Sequence, residues 1–218
     1  MQDKYEIKTS SYYGNYRQDI LPLVPNHASR VLEIGCGTGN TLTHLKANGY
    51  CDWICGVELF PDAAIQAAPK LDRLYQTNIE ETELPIESGS IDLILCLDVL
   101  EHLVDPHKVI AYLDRLLAPG GVIIASIPNV RHNSVVMPLV FKNQWNYRDG
   151  GVLDHTHLRF FVEDTAVDLM KSSGLQLDKC IGSNFYADRW DRLLNQLTLG
   201  VFSSFFFKNY LVKVSKIR

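Results

Sequence analysis

The chain has 218 residues, of which 46% are hydrophobic and 21% charged, so residues 1–218 can form a single globular domain with a sizeable core. A formal net charge of −4 gives no sign of a nucleic-acid-binding surface, and we expect no DNA or RNA partner. Five scattered cysteines without paired spacing argue against a disulfide framework and a zinc finger, and they favour a reducing, cytoplasmic setting.

The first 29 residues precede the first predicted strand, and we expect residues 1–29 to form an N-terminal cap. An aromatic and basic stretch occupies residues 12–17, and an apolar segment follows at residues 20–24. The segment either packs on the sheet as a capping helix or covers a bound cofactor as a lid. The residues themselves leave both interpretations open.

A short apolar strand, a glycine-rich turn and a helix are predicted over residues 31–46. Gly35, Gly37 and Gly39 occupy alternate positions in the turn. Glycine permits the positive φ of a sharp turn and lets a ligand approach the backbone with no Cβ in the way. Free N–H groups at the start of the helix are then expected to face the ligand. The pattern predicts the first unit of a parallel α/β fold.

The spacing of these glycines and one acidic residue indicate which ligand binds here. A dinucleotide-binding turn has the pattern G-x-G-x-x-G, whereas here the third glycine comes one residue early. Glu33 lies inside the predicted strand, where a buried carboxylate is costly unless a neighbour satisfies it. Both features fit a nucleoside that carries an amino acid better than a pyrophosphate. A purely structural turn and an NAD site are the alternatives.

Residues 31–40 resemble motif I of the class I methyltransferases, which use S-adenosylmethionine (SAM) and release S-adenosylhomocysteine. The resemblance implies an α/β, Rossmann-like fold with helices on both faces of a seven-stranded, mostly parallel sheet, whose last strand runs antiparallel beside the fifth. It also implies an aromatic residue and an arginine near the methionine moiety, and we assign Tyr13 as the aromatic one. Cofactor contacts are further expected from the motif itself: Glu33, Gly35, Cys36, Gly37 and Gly39.

The ends of the second and third predicted strands supply further expected cofactor contacts. Glu58 lies about 20 residues after the glycine turn, where an acid that binds the ribose hydroxyls is expected. A solvated strand-end acid is the alternative. The third strand exits at Asn78, where the resembled family usually has an aspartate beside the adenine amino group. The asparagine amide oxygen can accept that hydrogen bond without a charge. Leu59 and Ile79 are expected to line the cofactor beside these two residues.

The fourth predicted strand, residues 91–97, is apolar on both faces, as a central parallel strand must be. Leu97, Asp98 and Val99 stand at its carboxyl end, where ligands bind in such sheets, and we expect them to contact the cofactor. His102 follows shortly after. It lies near the chemistry, or it is a helix residue with a satisfied hydrogen bond.

A helix and a fifth strand are predicted next. Asp105 and Pro106 suit the N-cap and the first position of a helix. We predict that residues 119–121, Pro-Gly-Gly, end this helix and that residues 122–127 form the fifth strand. The Pro-Gly-Gly sequence in this place is typical of the resembled family.

Residues 128–161 are too long for an ordinary strand-to-helix connection and are predicted to form an insertion on the substrate side of the sheet. The segment is rich in aromatic and basic residues, which suit a planar or polyhydroxylated acceptor. Its end, residues 153–161, resembles methyltransferases found beside sugar-transfer and surface-polysaccharide genes, a subgroup whose acceptors vary. The expected acceptor contacts are His132, Trp145, Tyr147 and Arg159.

Two histidines in this run are the candidates for a catalytic base. His155 and His157 alternate, so they share a face if the chain is extended there. One of them then deprotonates an acceptor hydroxyl while the other orients it, and Arg159 orients the loop or the substrate. Structural hydrogen bonding is the alternative role. We expect no metal ion, because the sequence shows no obvious third ligand beside the two histidines.

A helix is predicted over residues 163–173. Val162 stands where the resembled family often has Thr or Ser as the N-cap, so Glu163 or Asp164 is expected to stabilise the start of the helix instead. The last two strands are predicted over residues 175–182 and 209–217.

Residues 193–207 lie between those two strands and are rich in phenylalanine. The segment is too short and too often interrupted by polar residues to cross a membrane. It forms a packing helix, or it contacts a membrane surface or a second copy of the chain.

The predicted activity is transfer of a methyl group from SAM to a hydroxyl of a small-molecule, sugar or polysaccharide acceptor. One alternative is a methyltransferase that acts on a protein, an RNA or another small molecule. A second is a non-catalytic SAM-binding module that keeps the glycine turn. A third is an NAD oxidoreductase, for which the sequence supplies no hydride-transfer site.

Overall fold

The computed structural model describes residues 16–185, 195–196, 200 and 202–217, so Tyr13 and most of residues 193–201 lie outside the described residues. Within the described residues, seven strands form one sheet with the order β3-β2-β1-β4-β5-β7-β6. The strands are β1 Ala28–Ile34, β2 Cys51–Glu58, β3 Arg73–Gln76, β4 Ile91–Leu97, β5 Leu117–Pro128, β6 Gln176–Phe185 and β7 Phe207–Ser215.

The strand directions confirm the predicted Rossmann-like sheet. Neighbouring strands from β3 to β5 pair in parallel, whereas β7 pairs antiparallel with β5 on one side and with β6 on the other. The last strand therefore runs antiparallel beside the fifth. The chain moves outward from β1 to β3 and then returns to β4 on the other side of β1. Ligands in such sheets bind outside the carboxyl ends of the strands at this switch point.

Helices cover both faces of the sheet, and one further helix, α4, belongs to the insertion. A 3-10 helix, Gln18–Leu23, packs with α1 against one face, where Leu42 and Val31 share a core. α3 and α5 pack against the other face, where Leu113 and Leu32 share a second core. Side chains of Val31 and Leu32 point to opposite faces because successive strand residues alternate. The helices are α1 Asn40–Ala47, α2 Pro61–Ala67, α3 Pro106–Leu116, α4 Asn133–Lys142 and α5 Glu163–Lys171.

α3 begins as predicted but ends earlier. The Asp105 side chain accepts a hydrogen bond from the backbone N–H of Lys108 at 3.1 Å, which is the expected N-cap contact. The helix ends at Leu116, so the prediction that residues 119–121 end it was wrong. Those residues belong to β5, whose register with β4 shifts there, and Gly120 has a φ of 78°. The Pro-Gly-Gly sequence thus forms an irregularity inside a strand.

The start of α5 has a capping contact in addition to the acidic residues that the sequence predicted there. The Thr165 hydroxyl accepts a hydrogen bond from the Val162 N–H at 3.0 Å and contacts the Val162 carbonyl at 3.1 Å. Thr165 therefore supplies the polar group that Val162 lacks. Glu163 and Asp164 lie in the first turn, where their charge favours the positive end of the helix dipole, but they do not act as the cap.

The phenylalanine-rich segment is described only in part. Phe206 and Phe207 are buried, whereas Phe202 is half exposed and meets Phe205 edge to face with 5.6 Å between ring centroids. The short 3-10 helix Ser203–Phe205 lies among them. A contact with a membrane surface or a second copy stays a prediction. No helix in the described part of the chain is long and apolar enough to span a membrane.

Candidate active site

The glycine turn joins β1 to α1 at the switch point of the sheet. Gly35, Gly37 and Gly39 have φ values of 68°, 55° and 77°, in the left-handed region that side chains disfavour. A Cβ on Gly35 would lie 2.3 Å from Cγ2 of Val99, which follows β4. The two sides of the crevice are therefore in contact at Gly35, and only glycine fits there.

Most N–H groups of this turn are engaged inside the protein. Gly35 and Cys36 donate to the Val57 carbonyl at 2.8 and 3.1 Å, and Gly37 donates to the Glu58 carboxylate at 2.7 Å. These three N–H groups are therefore not available to a ligand, and a ligand over the free N–H groups at the start of α1 stays a prediction.

Glu58 ends β2, and its buried carboxylate braces the glycine turn. Oε2 accepts from the Gly37 N–H, and Oε1 accepts from the Phe60 N–H at 2.9 Å. Burial raises the pKa of Glu58, and these two donors partly offset the effect. A carboxylate oxygen can accept more than one hydrogen bond, so ribose hydroxyls can also donate to it. Ribose binding by Glu58 stays a prediction.

Glu33 is a second buried acid at this edge, located within β1. Burial raises the pKa of Glu33 to about 8, the charge of Arg17 acts in the opposite direction, and Glu58 adds to the rise. Its Oε2 is buried and has no hydrogen-bond partner among the described residues. A ligand that brings a cationic N–H donor satisfies this atom, and the ammonium of an amino acid is such a donor. The residue thus fits the amino acid part of the expected cofactor.

Arg17 connects the N-terminal cap to the end of β4, and the sequence analysis named it only within a stretch. Its guanidinium donates to Asp98 at 2.5 Å, to the Ser126 hydroxyl at 2.8 Å and, through two nitrogens, to Asp19 at 2.9 Å. Asn209 of β7 also donates to Asp98, at 2.7 Å. The described part of the segment thus packs on the sheet, as a cap does, and a role as a lid over a bound cofactor stays a prediction.

The other predicted cofactor residues have varied surroundings. Leu97 and Ile79 are buried, and Leu59 is half exposed. The Asn78 amide oxygen accepts from the Glu80 N–H at 3.0 Å, so this side chain stabilises its own turn. A contact between Asn78 and adenine stays a prediction.

Glu101, His102 and His157 form a compact cluster beyond the end of β4. One nitrogen or oxygen atom from each side chain lies within 4.8 Å of the other two. Glu101 is 1% exposed, and its Oε1 lies 3.8 Å from Nε2 of His157. The two imidazole rings meet edge to face with 4.8 Å between centroids. Glu101 and His102 come from the 3-10 helix Leu100–His102, and His157 comes from the insertion.

Backbone carbonyls fix the orientation of both rings. Nδ1 of His102 lies 3.1 Å from the Thr156 carbonyl oxygen, and Nδ1 of His157 lies 3.0 Å from the Val152 carbonyl oxygen. A carbonyl can only accept a hydrogen bond, so Nδ1 of each neutral ring carries the proton. Nε2 then carries the lone pair in both rings.

The run that carries the two predicted bases is a turn, so His155 and His157 do not share a face. Asp154 is buried, and its Oδ1 accepts from the N–H and the hydroxyl of Thr156 at 2.9 and 2.6 Å. This turn directs His157 inward and leaves His155 exposed. The prediction that one of these histidines orients the other was therefore wrong, because the ring beside His157 is that of His102.

Trp145, Tyr147 and Phe160 form an aromatic group on the insertion. Their centroid distances are 5.4 Å from Trp145 to Phe160 and 6.3 Å from Tyr147 to Phe160, and His155 stacks on Tyr147 at 5.7 Å. Trp145 and Tyr147 are each more than a third exposed. Their rings can pack against an aromatic or sugar ring, and acceptor binding by them stays a prediction.

The other two predicted acceptor residues make structural contacts. His132 is buried and caps α4, where its Nδ1 accepts from the Ser134 N–H at 3.2 Å. Arg159 donates from Nη2 to the Val104 carbonyl at 2.6 Å, and its backbone N–H donates to the Glu101 carbonyl at 3.1 Å. Arg159 therefore ties the insertion to the segment after β4. A direct contact of either residue with an acceptor stays a prediction.

Glu101 is the main residue that the sequence analysis missed. The signal was an acid directly before His102, close after a central parallel strand whose carboxyl end faces the ligand crevice. Its neighbour His157 lies far along the chain, and only the fold brings the two together. The structure thus places a carboxylate and a second imidazole beside His157 that were not obvious from the sequence.

Comparisons with known proteins agree with this geometry. A family model described as a methyltransferase domain matches residues 7–179. The ubiquinone biosynthesis O-methyltransferase of Cereibacter sphaeroides is 26% identical over 197 residues, which cover 88% of this chain and 78% of that protein. The protein of the same name from Psychrobacter arcticus is 30% identical over 121 residues, which cover 51% of this chain and 45% of that protein.

Solved structures have the same fold. A SAM-dependent methyltransferase from Archaeoglobus fulgidus superimposes with a TM-score of 0.65 at 18% identity, and the match covers 90% of this chain and 89% of that one. At this level of identity, the likeness is one of fold.

Proposed function

The chain belongs to the methyltransferase domain family and is a class I methyltransferase that uses SAM, and from this premise we propose that it methylates a hydroxyl group of a small acceptor molecule. The acceptor lies against the insertion, residues 128–161, with its reacting hydroxyl beside Glu101, His102 and His157. The observation that carries this proposal is the position of that cluster directly after β4, at the same sheet edge as the glycine turn.

The residues at this edge suit the parts of SAM by their chemistry. Glu33 supplies an acceptor for the ammonium group, and Glu58 supplies one for the ribose hydroxyls. Arg17 and Asp98 hold the cap against the end of β4 and so close one side of the crevice. SAM provides a methyl group that its sulfonium has already activated. The chain mainly aligns the reactants and excludes water.

A hydroxyl acceptor has to lose its proton as the methyl group arrives. The cluster is suited to this step because Nε2 of His157 carries a lone pair and lies 3.8 Å from the Glu101 carboxylate. His155 is in the same turn but is exposed and stacks on Tyr147, so we give it no part in the proton transfer.

Four observations support a small acceptor in the cytoplasm. Two relatives are named for O-methylation in ubiquinone biosynthesis, which points to a hydroxyl on a small molecule. The exposed rings of Trp145 and Tyr147 suit an aromatic or sugar ring. All five cysteines are free thiols, which fits a reducing compartment. The net charge of −4 disfavours a nucleic-acid substrate.

Calorimetry tests the cofactor part of the proposal. SAM and S-adenosylhomocysteine should bind with affinities in the micromolar range, and NAD should give no measurable heat of binding. NAD binding as tight as SAM binding would contradict the proposal.

The acceptor part is tested by incubating the protein with SAM and a panel of phenols, catechols and sugars while S-adenosylhomocysteine is measured. On the best acceptor, His157→Ala should lower turnover by roughly 10²–10⁴-fold, the usual contribution of a group that assists proton transfer. His155→Ala is the matched control from the same turn and should stay within about threefold of the wild type, because it lies outside the cluster. Equal turnover of the two variants would show that the cluster takes no part in the reaction.

A further inference from the structure

We infer that Glu101, His102 and His157 together bind one divalent metal ion, and that the ion activates the acceptor hydroxyl. The catalytic part of this inference rests on the proposed function, whereas the binding of the ion does not. The cluster lies at the switch point of the sheet, directly after β4, where a bound ion can reach both the methyl donor and an acceptor on the insertion.

The donor set selects a class of ion. Two imidazole nitrogens and one carboxylate oxygen suit divalent ions of intermediate softness, Zn²⁺ first and Co²⁺ or Mn²⁺ next. Mg²⁺ and Ca²⁺ prefer oxygen ligands alone. The three candidate atoms lie within 4.8 Å of one another. Bonds of about 2.0–2.1 Å in a tetrahedral zinc site place the ligands ~3.4 Å apart, so small side-chain rotations bring this set into range.

The surroundings of both histidines match those of metal ligands. A histidine that binds a metal usually donates its other ring N–H to a carboxylate or a backbone carbonyl, which fixes the tautomer and the ring. His102 makes this contact with the Thr156 carbonyl, and His157 makes it with the Val152 carbonyl. In the neutral form, each ring then has its lone pair on Nε2, and this is the form that coordinates a cation.

The charge of the cluster also favours a cation. Glu101 is 1% exposed, and a buried carboxylate is costly unless positive charge accompanies it. A divalent ion bound beside Glu101 supplies such charge. Asp154 contributes indirectly, because its hydrogen bonds to Thr156 shape the turn that presents His157.

The ion gives the reaction a defined course. Three protein ligands leave at least one coordination position open, as in catalytic zinc sites. The acceptor hydroxyl oxygen takes that position, and the ion lowers its pKa so that the proton leaves to solvent. The oxygen then forms a bond to the methyl carbon while the carbon–sulfur bond breaks. The electron pair of that bond goes to sulfur, and the sulfonium becomes a thioether. In this scheme His157 is a ligand of the ion and does not act as the base.

The test uses the full chain without a polyhistidine tag, freed of metal with a chelator. Zn²⁺ and Co²⁺ are titrated by calorimetry, and the visible absorption of Co²⁺ reports nitrogen and oxygen coordination without any reference to activity. We expect one ion per chain with micromolar or tighter affinity. His157→Ala, His102→Ala and Glu101→Gln should each weaken binding at least tenfold. His155→Ala, from the same turn, should bind as the wild type does.

The outcomes separate this inference from the proposed function. If the wild type binds no stoichiometric ion, or if all three cluster variants bind as tightly as His155→Ala, the metal site is disproved. Methylation that continues at full rate in excess chelator disproves the catalytic role of the ion and leaves the proposed function standing. Failure of SAM to bind contradicts the proposed function whatever the metal does. If a cluster variant does not fold, the wild type alone decides whether the ion binds. Zn²⁺ should then raise the melting temperature of the wild type, and a chelator should reverse that rise.

Discussion

The cofactor region, residues 28–99, and the acceptor region, residues 100–102 and 128–161, lie at the same edge of the sheet but are held in place by different means. In the cofactor region, backbone N–H groups of the glycine turn donate hydrogen bonds to the Val57 carbonyl of β2 and to the carboxylate of Glu58, the last residue of that strand. In the acceptor region, polar side chains bind backbone groups of other segments, as the partly buried His102 does with Thr156.

This difference indicates how each region responds to substitution. The cofactor region depends on conformations and close approaches that only glycine allows, so an added Cβ should damage SAM binding. The acceptor region depends on side-chain hydrogen bonds that position His157, so their removal should lower turnover while SAM binding is kept. Four predictions test this division, in order of the expected effect.

Gly35→Ala should give the largest effect. The left-handed φ of 68° costs a side chain about 1–2 kcal/mol, and the added Cβ would lie 2.3 Å from Val99. Together we expect folding stability to fall by about 3 kcal/mol, and SAM binding should weaken as well because the turn has to shift away from Val99. Calorimetry and the melting temperature measure this. Gly150→Ala, in the acceptor region, meets no atom within 4 Å and should change neither quantity. If the two variants had similar SAM affinities and melting temperatures, the two regions would not differ in their dependence on glycine.

Glu58→Ala should weaken SAM binding at least tenfold. The variant loses two charge-assisted hydrogen bonds to ribose, at about 1.5–3 kcal/mol each, and also releases the N–H groups of Gly37 and Phe60. Glu58→Gln keeps the shape and one acceptor oxygen, so it should lose less affinity. The dissociation constant from calorimetry is the readout, and an unchanged value for Glu58→Ala would show that another group binds the ribose.

Asp154→Ala should lower turnover about tenfold and leave SAM affinity within about twofold of the wild type, since a lost buried hydrogen bond costs about 1–3 kcal/mol. The physical reason is the loss of the two contacts with Thr156 that shape the turn before His157. Steady-state kinetics and calorimetry separate the two quantities. Asp149→Ala removes a fully exposed acid from the same insertion and should change neither. A loss of SAM affinity in Asp154→Ala would show that the two regions are coupled.

Glu33→Gln should change the pH dependence of stability by about 1–3 kcal/mol. The pKa of Glu33 is raised to about 8 in the folded chain, so the folded state holds a proton that the unfolded state has released. Glu33 therefore contributes fully to the free energy of unfolding below the ordinary pKa of a glutamate, and this contribution is lost as the pH rises toward 8. The wild type should therefore lose stability relative to Glu33→Gln between pH 5 and 8, measured by denaturant unfolding at each pH.

SAM sharpens this last test. An ammonium group beside Glu33 favours its ionised form, so saturating SAM should reduce the difference in pH slope between the wild type and Glu33→Gln. An equal slope with and without SAM would place the cofactor ammonium away from Glu33.

The sequence by itself determined the glycine turn and the central strand of the proposed cofactor region, because the signals for both are local. Three glycines at alternate positions need left-handed backbone angles wherever they stand, and the structure has those angles. The apolar run of β4 indicated a central parallel strand, and the structure buries most of it. The order of strands came from the resemblance to a family, since no local pattern shows which strands are neighbours.

Tertiary structure decided which residues meet in the cluster of Glu101, His102 and His157. Alternation in the sequence placed His155 and His157 on one face, but this holds only for an extended chain, and the hydrogen bonds of Asp154 with Thr156 turn the chain there. Glu101 and His102 meet His157 only because the insertion folds back onto the end of β4. A contact between segments so far apart in the chain depends on the packing of the whole sheet, and no short stretch of sequence specifies it.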